Sequence, residues 1–179
     1  MAGGKNTMSN LIMIYSTTDG HTKKILDHIN KICARKHTVR QIPIEAVSNL
    51  DLSCFDKIVL GAGVRYGDHK TEIYDFVKSS KKILEAKETF FFSVNLVARK
   101  RDKSSSNTNP YIRKFLAKTS WAPSETDVFA GKLCYPKYSF LDRNIIRCIM
   151  AITDGPTNTS RCYEFTNWDS VTSFAERIL

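Results

Sequence analysis

Leu11-Ile12-Met13-Ile14-Tyr15-Ser16-Thr17-Thr18-Asp19-Gly20-His21-Thr22 is an apolar run that ends in a hydroxyl-rich turn and leads into a helical pattern. A strand, turn and helix in that order gather the free N–H groups of the helix start around the turn, where the helix dipole favours negative charge. The Ser and Thr hydroxyls add donors, and Gly20 lets the backbone approach a ligand closely. No Lys closes the turn, as a Walker loop requires, and G-x-G-x-x-G is absent. The pattern fits a phosphate loop. It fits a plain capping turn equally well, because hydroxyl-rich turns cap many helices.

The rest of the chain repeats the alternation. Residues 10–16 read as a buried strand. Ile25, Ile29, Ile32 and Cys33 fall on one face of the helix after it, with His28 beside them as a structural residue. Further strands are predicted over 38–44, where Pro43 suits an edge, and over 56–64, 89–94 and 127–133. Ile73, Phe76, Val77, Ile83 and Leu84 mark a second long helix, and others follow over 110–118, 141–152 and from Trp168 onward. A short helix is expected over 46–54 and a short extra strand over 162–165. Residues 96–109 show no periodicity and read as a long, basic, mobile loop.

Alternation about every 30 residues predicts an α/β fold. The expected architecture is a five-stranded parallel sheet with helices on both faces and a long basic insertion after the fourth strand. In such sheets ligands bind at the carboxyl ends of the strands, here the loops 16–22, 62–68 and 93–103.

The chain has 179 residues, 42% hydrophobic and 25% charged, which fits one globular domain over 10–179 behind a loose tail over 1–9. No apolar run is long enough to span a membrane as a helix. The five cysteines (33, 54, 134, 148 and 162) include no C-x-x-C, so neither a zinc site nor a redox dithiol is expected. Most read as small core residues under reducing conditions. Nothing suggests a metal. The net charge is +9, and residues 97–147, with eleven Lys and Arg against four acids, hold seven of those charges. Such a region implies an anionic partner: nucleic acid, anionic lipid or an acidic small molecule.

Five blocks resemble one family: Tyr15 to Thr22, Gly61 to Gly67, Phe92 to Lys100, Tyr111 to Leu116, and Tyr135-Pro136-Lys137-Tyr138. They are similar to those of the flavodoxin-like, quinone-dependent protoporphyrinogen IX dehydrogenases of bacterial haem synthesis, and the similarity covers about residues 10 to 179. The resemblance implies a flavodoxin-like fold with bound FMN. The implied FMN site is Ser16, Thr17, Thr18, Asp19, Gly20, His21 and Thr22, with Ala62, Gly63, Val64, Arg65, Tyr66 and Gly67, and with Ser93, Val94, Asn95, Leu96, Val97 and Ala98. Asp19 stands where ordinary flavodoxins commonly carry Thr. A carboxylate beside a phosphate is electrostatically odd, so a helix-capping role is expected for it.

The family removes six electrons from protoporphyrinogen IX and passes them to menaquinone or ubiquinone. It acts as a peripheral membrane protein. The resemblance therefore implies a quinone and an anionic membrane surface as partners. It points to the cytoplasmic face of the plasma membrane in a bacterium, or to a mitochondrial membrane in a eukaryote. The substrate is apolar with two propionates, and Arg99, Lys100, Arg101 and Lys103 are expected to meet either those propionates or lipid. The bland alternative is a solvated charge run. Helix 141–152 either lies on a bilayer, with Arg143 and Arg147 toward head groups, or packs in the core or a dimer interface. No catalytic base is assigned, although His21 and His69 fall near the relevant strand ends. A homo-oligomer is left open.

Three rival functions have counter-arguments. An FMN electron carrier usually has an acidic surface. An NAD(P)H:quinone reductase needs no further motif and is separated only by assay. A nucleic-acid-binding module is disfavoured, because no RRM, helix-turn-helix or zinc pattern is present and the phosphate loop is left unexplained.

Overall fold

The computed structural model describes residues 8–48 and 50–179. β1 (Ser9–Ser16) is buried on both faces, with Leu11 and Met13 packing into one core cluster and Ile12 and Ile14 into another. That is the period-two alternation of a strand covered on both sides. α1 (His21–Cys33) follows, then β2 (His37–Pro43), β3 (Lys57–Arg65) and β4 (Asp68–His69). α2 (Thr71–Glu85), β5 (Glu88–Asn95) and α3 (Pro110–Thr119) come next. The chain closes with β6 (Glu125–Ala130), β7 (Lys132–Cys134), α4 (Phe140–Ile152), β8 (Cys162–Glu164) and α5 (Trp168–Ile178).

The five parallel strands run in the order β2-β1-β3-β5-β6, with β4 turned back antiparallel on the end of β3. α1 and α5 cover one face through Ile25, Leu26, Ile29, Val171, Phe174 and Ile178. α2 and α3 cover the other through Ile73, Phe76, Val77, Ile112 and Phe115. β2 lies at an edge and ends at Pro43, as expected. The strand order reverses between β1 and β3, so the loops that follow them diverge and leave a crevice.

Several local expectations change. The stretch read as a short helix over 46–54 has, among its described residues, only the end of one 3-10 turn (Ile44–Ala46) and all of another (Leu52–Cys54). There the Asp51 carboxylate takes the Ser53 N–H, offering the backbone a turn instead of a helix. The fifth strand breaks at Gly131, whose N–H donates to Asn95 O while its C=O accepts from Phe165. Beyond it β7 and β8 form a separate antiparallel ribbon that carries α4. Of the expected tail, residues 1–7 lie outside the described residues, and Ser9 already belongs to β1.

Residues 96–109 are ordered, not a free loop. Two 3-10 turns, Leu96–Arg99 and Arg101–Lys103, are clamped by a reciprocal amide pair. Asn95 Nδ2 donates to Asn109 Oδ1 at 3.3 Å, and Asn109 Nδ2 donates to Asn95 Oδ1 at 3.1 Å. Asn95 also takes the Ala98 N–H, and Asn109 caps α3 by taking the Tyr111 N–H. Of the cysteines, Cys33 is buried and Cys54 and Cys148 are exposed. Cys134 and Cys162 face each other across the β7–β8 ladder, with Cys134 buried as a core residue and Cys162 exposed.

Candidate functional site

The carboxyl ends of β1, β3 and β5 open into a cavity of about 430 Å3, within the range of pockets that enclose cofactors and drug-sized ligands. The first turn contributes Thr17, Thr18, Asp19, His21 and Thr22. The second contributes Gly63, Val64, Arg65, Tyr66 and Gly67. The third contributes Val94, Asn95, Leu96 and Val97. Of the four basic residues singled out after β5, Arg99, Lys100 and Lys103 line the cavity, whereas Arg101 is exposed and does not. Ser16, Ala62, Ser93 and Ala98 are buried behind the wall. Gly20 lines a smaller adjoining recess with Lys24, Lys132 and Lys137.

Residues outside the predicted site close the far side. Ile145, Ile146, Ile149 and Met150 form an apolar wall from α4, with Tyr111, Lys132, Tyr138, Asp142 and Thr153 around it. One signal was available for the ordering of this side, since Asn109-Pro110 is a cap followed by a proline at the first helical position. α4 itself starts at an N-cap, with Ser139 Oγ accepting from the Asp142 N–H.

The first turn leaves donors free. Gly20 precedes α1 at φ 79°, no side chain caps the helix, and no acid occupies its first turn. Ser16 Oγ is buried without a partner. Asp19 does not cap the helix. Its carboxylate instead pairs with Arg65 at 3.0 Å, and Arg65 also reaches Asp142 at 3.5 Å. The Arg65 guanidinium sits over the rings of Tyr66 and Tyr138, 5.1 and 5.0 Å from their centroids. Burial works against its charge, but Tyr66 and Asp19 outweigh that and raise its pKa.

The two histidines near the strand ends are both engaged. Thr166 donates its hydroxyl hydrogen to Ala130 O, so it accepts from His21 Nε2–H at 2.7 Å. Burial lowers the His21 pKa, with Glu164 opposing. His69 is buried, its Nε2 2.9 Å from Ser93 Oγ and its Nδ1 unpartnered. Burial pushes its pKa down to about 4. The neighbouring Asp68 is held low: burial would raise it, but Lys114, Tyr74 and the His69 amide all donate to it. His28 is structural, as expected, donating to Thr172 at 2.9 Å.

The flavodoxin domain profile matches residues 12–160. Protoporphyrinogen IX dehydrogenase [quinone] of Leishmania major is 43% identical over 92% of this chain and 72% of its own length. The protein of the same name from Escherichia coli K12 is 35% identical over 93% of each. The chain belongs to the flavodoxin-domain family of quinone protoporphyrinogen IX dehydrogenases. Oxidised flavodoxin 2 of Bacillus cereus superposes with a TM-score of 0.54 at 18% identity, over 94% of this chain and 99% of that one, which shows the shared flavodoxin fold.

A flavodoxin-family domain implies a flavin, and the residues present fit one. An added Cβ at Gly63 would stand 2.9 Å from Thr22 Oγ1, so backbone and hydroxyl already meet there with no room to spare. The free N–H groups of α1, the unpartnered Ser16 hydroxyl and the Thr17, Thr18 and Thr22 side chains are a donor set suited to a phosphate group. The far wall of the cavity is apolar at one end, where α4 supplies Ile145, Ile146, Ile149 and Met150.

Proposed function

We propose that this chain is an FMN-dependent, quinone-linked protoporphyrinogen IX dehydrogenase of haem synthesis. One observation carries the reading. A single cavity joins a hydroxyl-rich anion turn to an apolar wall from α4, with Lys100 and Lys103 among its lining. Protoporphyrinogen IX is a wide apolar macrocycle with two propionates, so it needs apolar surface beside cations. A soluble electron carrier or a nucleic-acid-binding module needs neither the wall nor the enclosed volume.

In this reading Ser16 to Thr22 hold the FMN phosphate through hydroxyls and the α1 amides. Residues 62–67 and 93–98 flank the ring system, and those that are buried shape the wall from behind. Bound there, FMN supplies two-electron redox chemistry. Lys100 and Lys103 meet the propionates, and the α4 wall excludes water from the macrocycle. The overall reaction takes six electrons and six protons from the porphyrinogen and reduces three quinones. His21 and His69 are both held in hydrogen bonds, so neither is assigned as a base.

Residues 10–179 act as one flavin domain, and the segment 96–109 is its basic insertion. In this reading contact with a membrane quinone is peripheral, and no helix of the described residues is long and apolar enough to cross a membrane. The site is the cytoplasmic face of the plasma membrane in a bacterium or a mitochondrial membrane in a eukaryote.

The test is anaerobic. Protoporphyrinogen IX is added to the FMN-loaded protein, with and without a soluble quinone, while flavin absorbance and porphyrin fluorescence are followed. Bleaching without quinone and sustained porphyrin formation with it are expected. A protein that ignores the porphyrinogen but is bleached by NAD(P)H would instead be a quinone reductase.

A further inference from the structure

α4 has two apolar sides. One, with Met150 buried and Ile146 half-buried, packs into a small cluster with Leu133, Tyr135 and Tyr138. The other is uncovered. Leu141, Ile145, Ile149 and Ile152 recur at i, i+4, i+8 and i+11, which at 3.6 residues per turn is one continuous stripe. Leu141 is 72% exposed, Ile152 83% and Phe140, at the flank, 75%. Five of the eight large hydrophobic residues exposed among the described residues lie on this one helix.

Two of the stripe residues, Ile145 and Ile149, also line the cavity. The mouth of the cavity is therefore continuous with the uncovered stripe. No acid faces outward along it: Asp142, the acid of α4, is turned to Arg65 and Tyr66. The far end of α4 is fastened to the basic turn, since Arg99 Nη2 donates to Thr153 O at 2.9 Å and Thr153 Oγ1 at 2.6 Å. The stripe thus lies beside Lys100, Arg101 and Lys103, in the segment that holds most of the net positive charge.

We propose that the outer stripe of α4, framed by this basic turn, seats the molecule on an anionic lipid bilayer. The cavity mouth at Ile145 and Ile149 then opens into lipid, and a lipid-soluble quinone enters from the bilayer and not from water. An apolar helix face beside cations is the signature of a helix lying in the interface of an anionic membrane. This deepens the reading under Proposed function by naming the surface through which its quinone arrives.

The test uses the FMN-loaded protein and vesicles of phosphatidylcholine with or without phosphatidylglycerol. The variant is Leu141→Glu/Ile152→Glu, at two positions that do not line the cavity. The parent is expected to float with anionic vesicles and to lose most of that binding in neutral vesicles or high salt. The variant is expected to lose vesicle binding by about tenfold or more. Its turnover with a water-soluble quinone should stay within about twofold of the parent, while turnover of a long-chain quinone dissolved in vesicles falls in step with binding. Phe140→Trp, a conservative change, should be quenched by brominated lipid.

Vesicle binding is read without porphyrinogen, so it holds or fails independently of the proposed activity. A parent that ignores anionic vesicles, a variant that binds them as well as the parent, or an unquenched Trp at 140 would overturn the proposal. So would a dimer, seen by sedimentation, that the double substitution dissolves while vesicle binding is absent.

Discussion

Arg65 Nη1 stands 3.0 Å from Asp19 Oδ2, so the carboxyl end of β3 is ionically tied to the turn after β1. The pair answers the oddity of a carboxylate in an anion-binding turn, because the guanidinium offsets its charge where a phosphate would be held. Arg65→Ala should expose Asp19 and weaken FMN binding by about tenfold, or about 1.4 kcal/mol. Asp19→Asn alone should bind FMN at least as tightly as the parent, and the double variant should regain most of the loss. A flavin fluorescence titration of all four proteins measures the coupling. Unchanged affinity in Arg65→Ala would mean that the Asp19 charge is not felt at the cofactor.

His69 makes stability depend on pH in a defined window. Its pKa is about 4 when folded, against an ordinary value of 6.5. Between those values the unfolded chain binds the extra proton, so stability is unaffected above about 6.5 and falls as pH drops toward about 4. The shift corresponds to about 3 kcal/mol. Denaturant unfolding at several pH values should show this slope, and His69→Gln should flatten it. Acidic destabilisation by Asp68 belongs to a lower window, because its depressed pKa matters only below the ordinary carboxylate range.

Two glycines two residues apart should fail differently. An added Cβ at Gly61 would clash with Cζ at the tip of the Phe92 ring, which is fully buried. Gly61→Ala should therefore cost about 2–3 kcal/mol of stability. At Gly63 the obstacle is the Thr22 hydroxyl, so Gly63→Ala should weaken FMN retention with little change in the melting temperature of the apoprotein. Calorimetry and the flavin-to-protein absorbance ratio separate the two.

Removing Asn109 should release the 96–109 segment. Asn109→Ala deletes its bonds to Asn95, Lys103 and Tyr111, leaving the buried Asn95 amide half-satisfied. A loss of about 2–3 kcal/mol is expected. Hydrogen exchange should rise over 96–109 more than elsewhere, and protease cleavage should begin there.

The basic residues of that segment are not equivalent. Lys100 and Lys103 line the cavity, and Arg101 does not. Lys100→Ala/Lys103→Ala should raise the KM for the dicarboxylate substrate by about tenfold with kcat less affected, as expected for lost charge-assisted contacts. Arg101→Ala should leave the KM unchanged in detergent solution.

Much of this was legible in the chain. Alternating runs such as Leu11 to Tyr15 and Lys57 to Val64 are local signals, and both the parallel sheet and the crowding of three loops at its carboxyl edge follow from them. Partnering was not legible where it joins distant residues. Asn95 read as a flavin-site residue and Asn109 as the end of a loop, yet their mutual pairing converts an expected mobile loop into two fixed turns. Asp19 read as a cap, yet a residue 46 positions away takes its charge.

What the sequence determined by itself is the fold and the family, because strand and helix periods and short motifs are written in neighbouring residues. What only the tertiary structure decided is where α4 goes and which of its sides is covered. An apolar helix has the same sequence whether it is buried, walls a cavity or faces a bilayer. The difference lies in what packs against each side, and here the β7–β8 ribbon covers Met150 while leaving Leu141 and Ile152 bare.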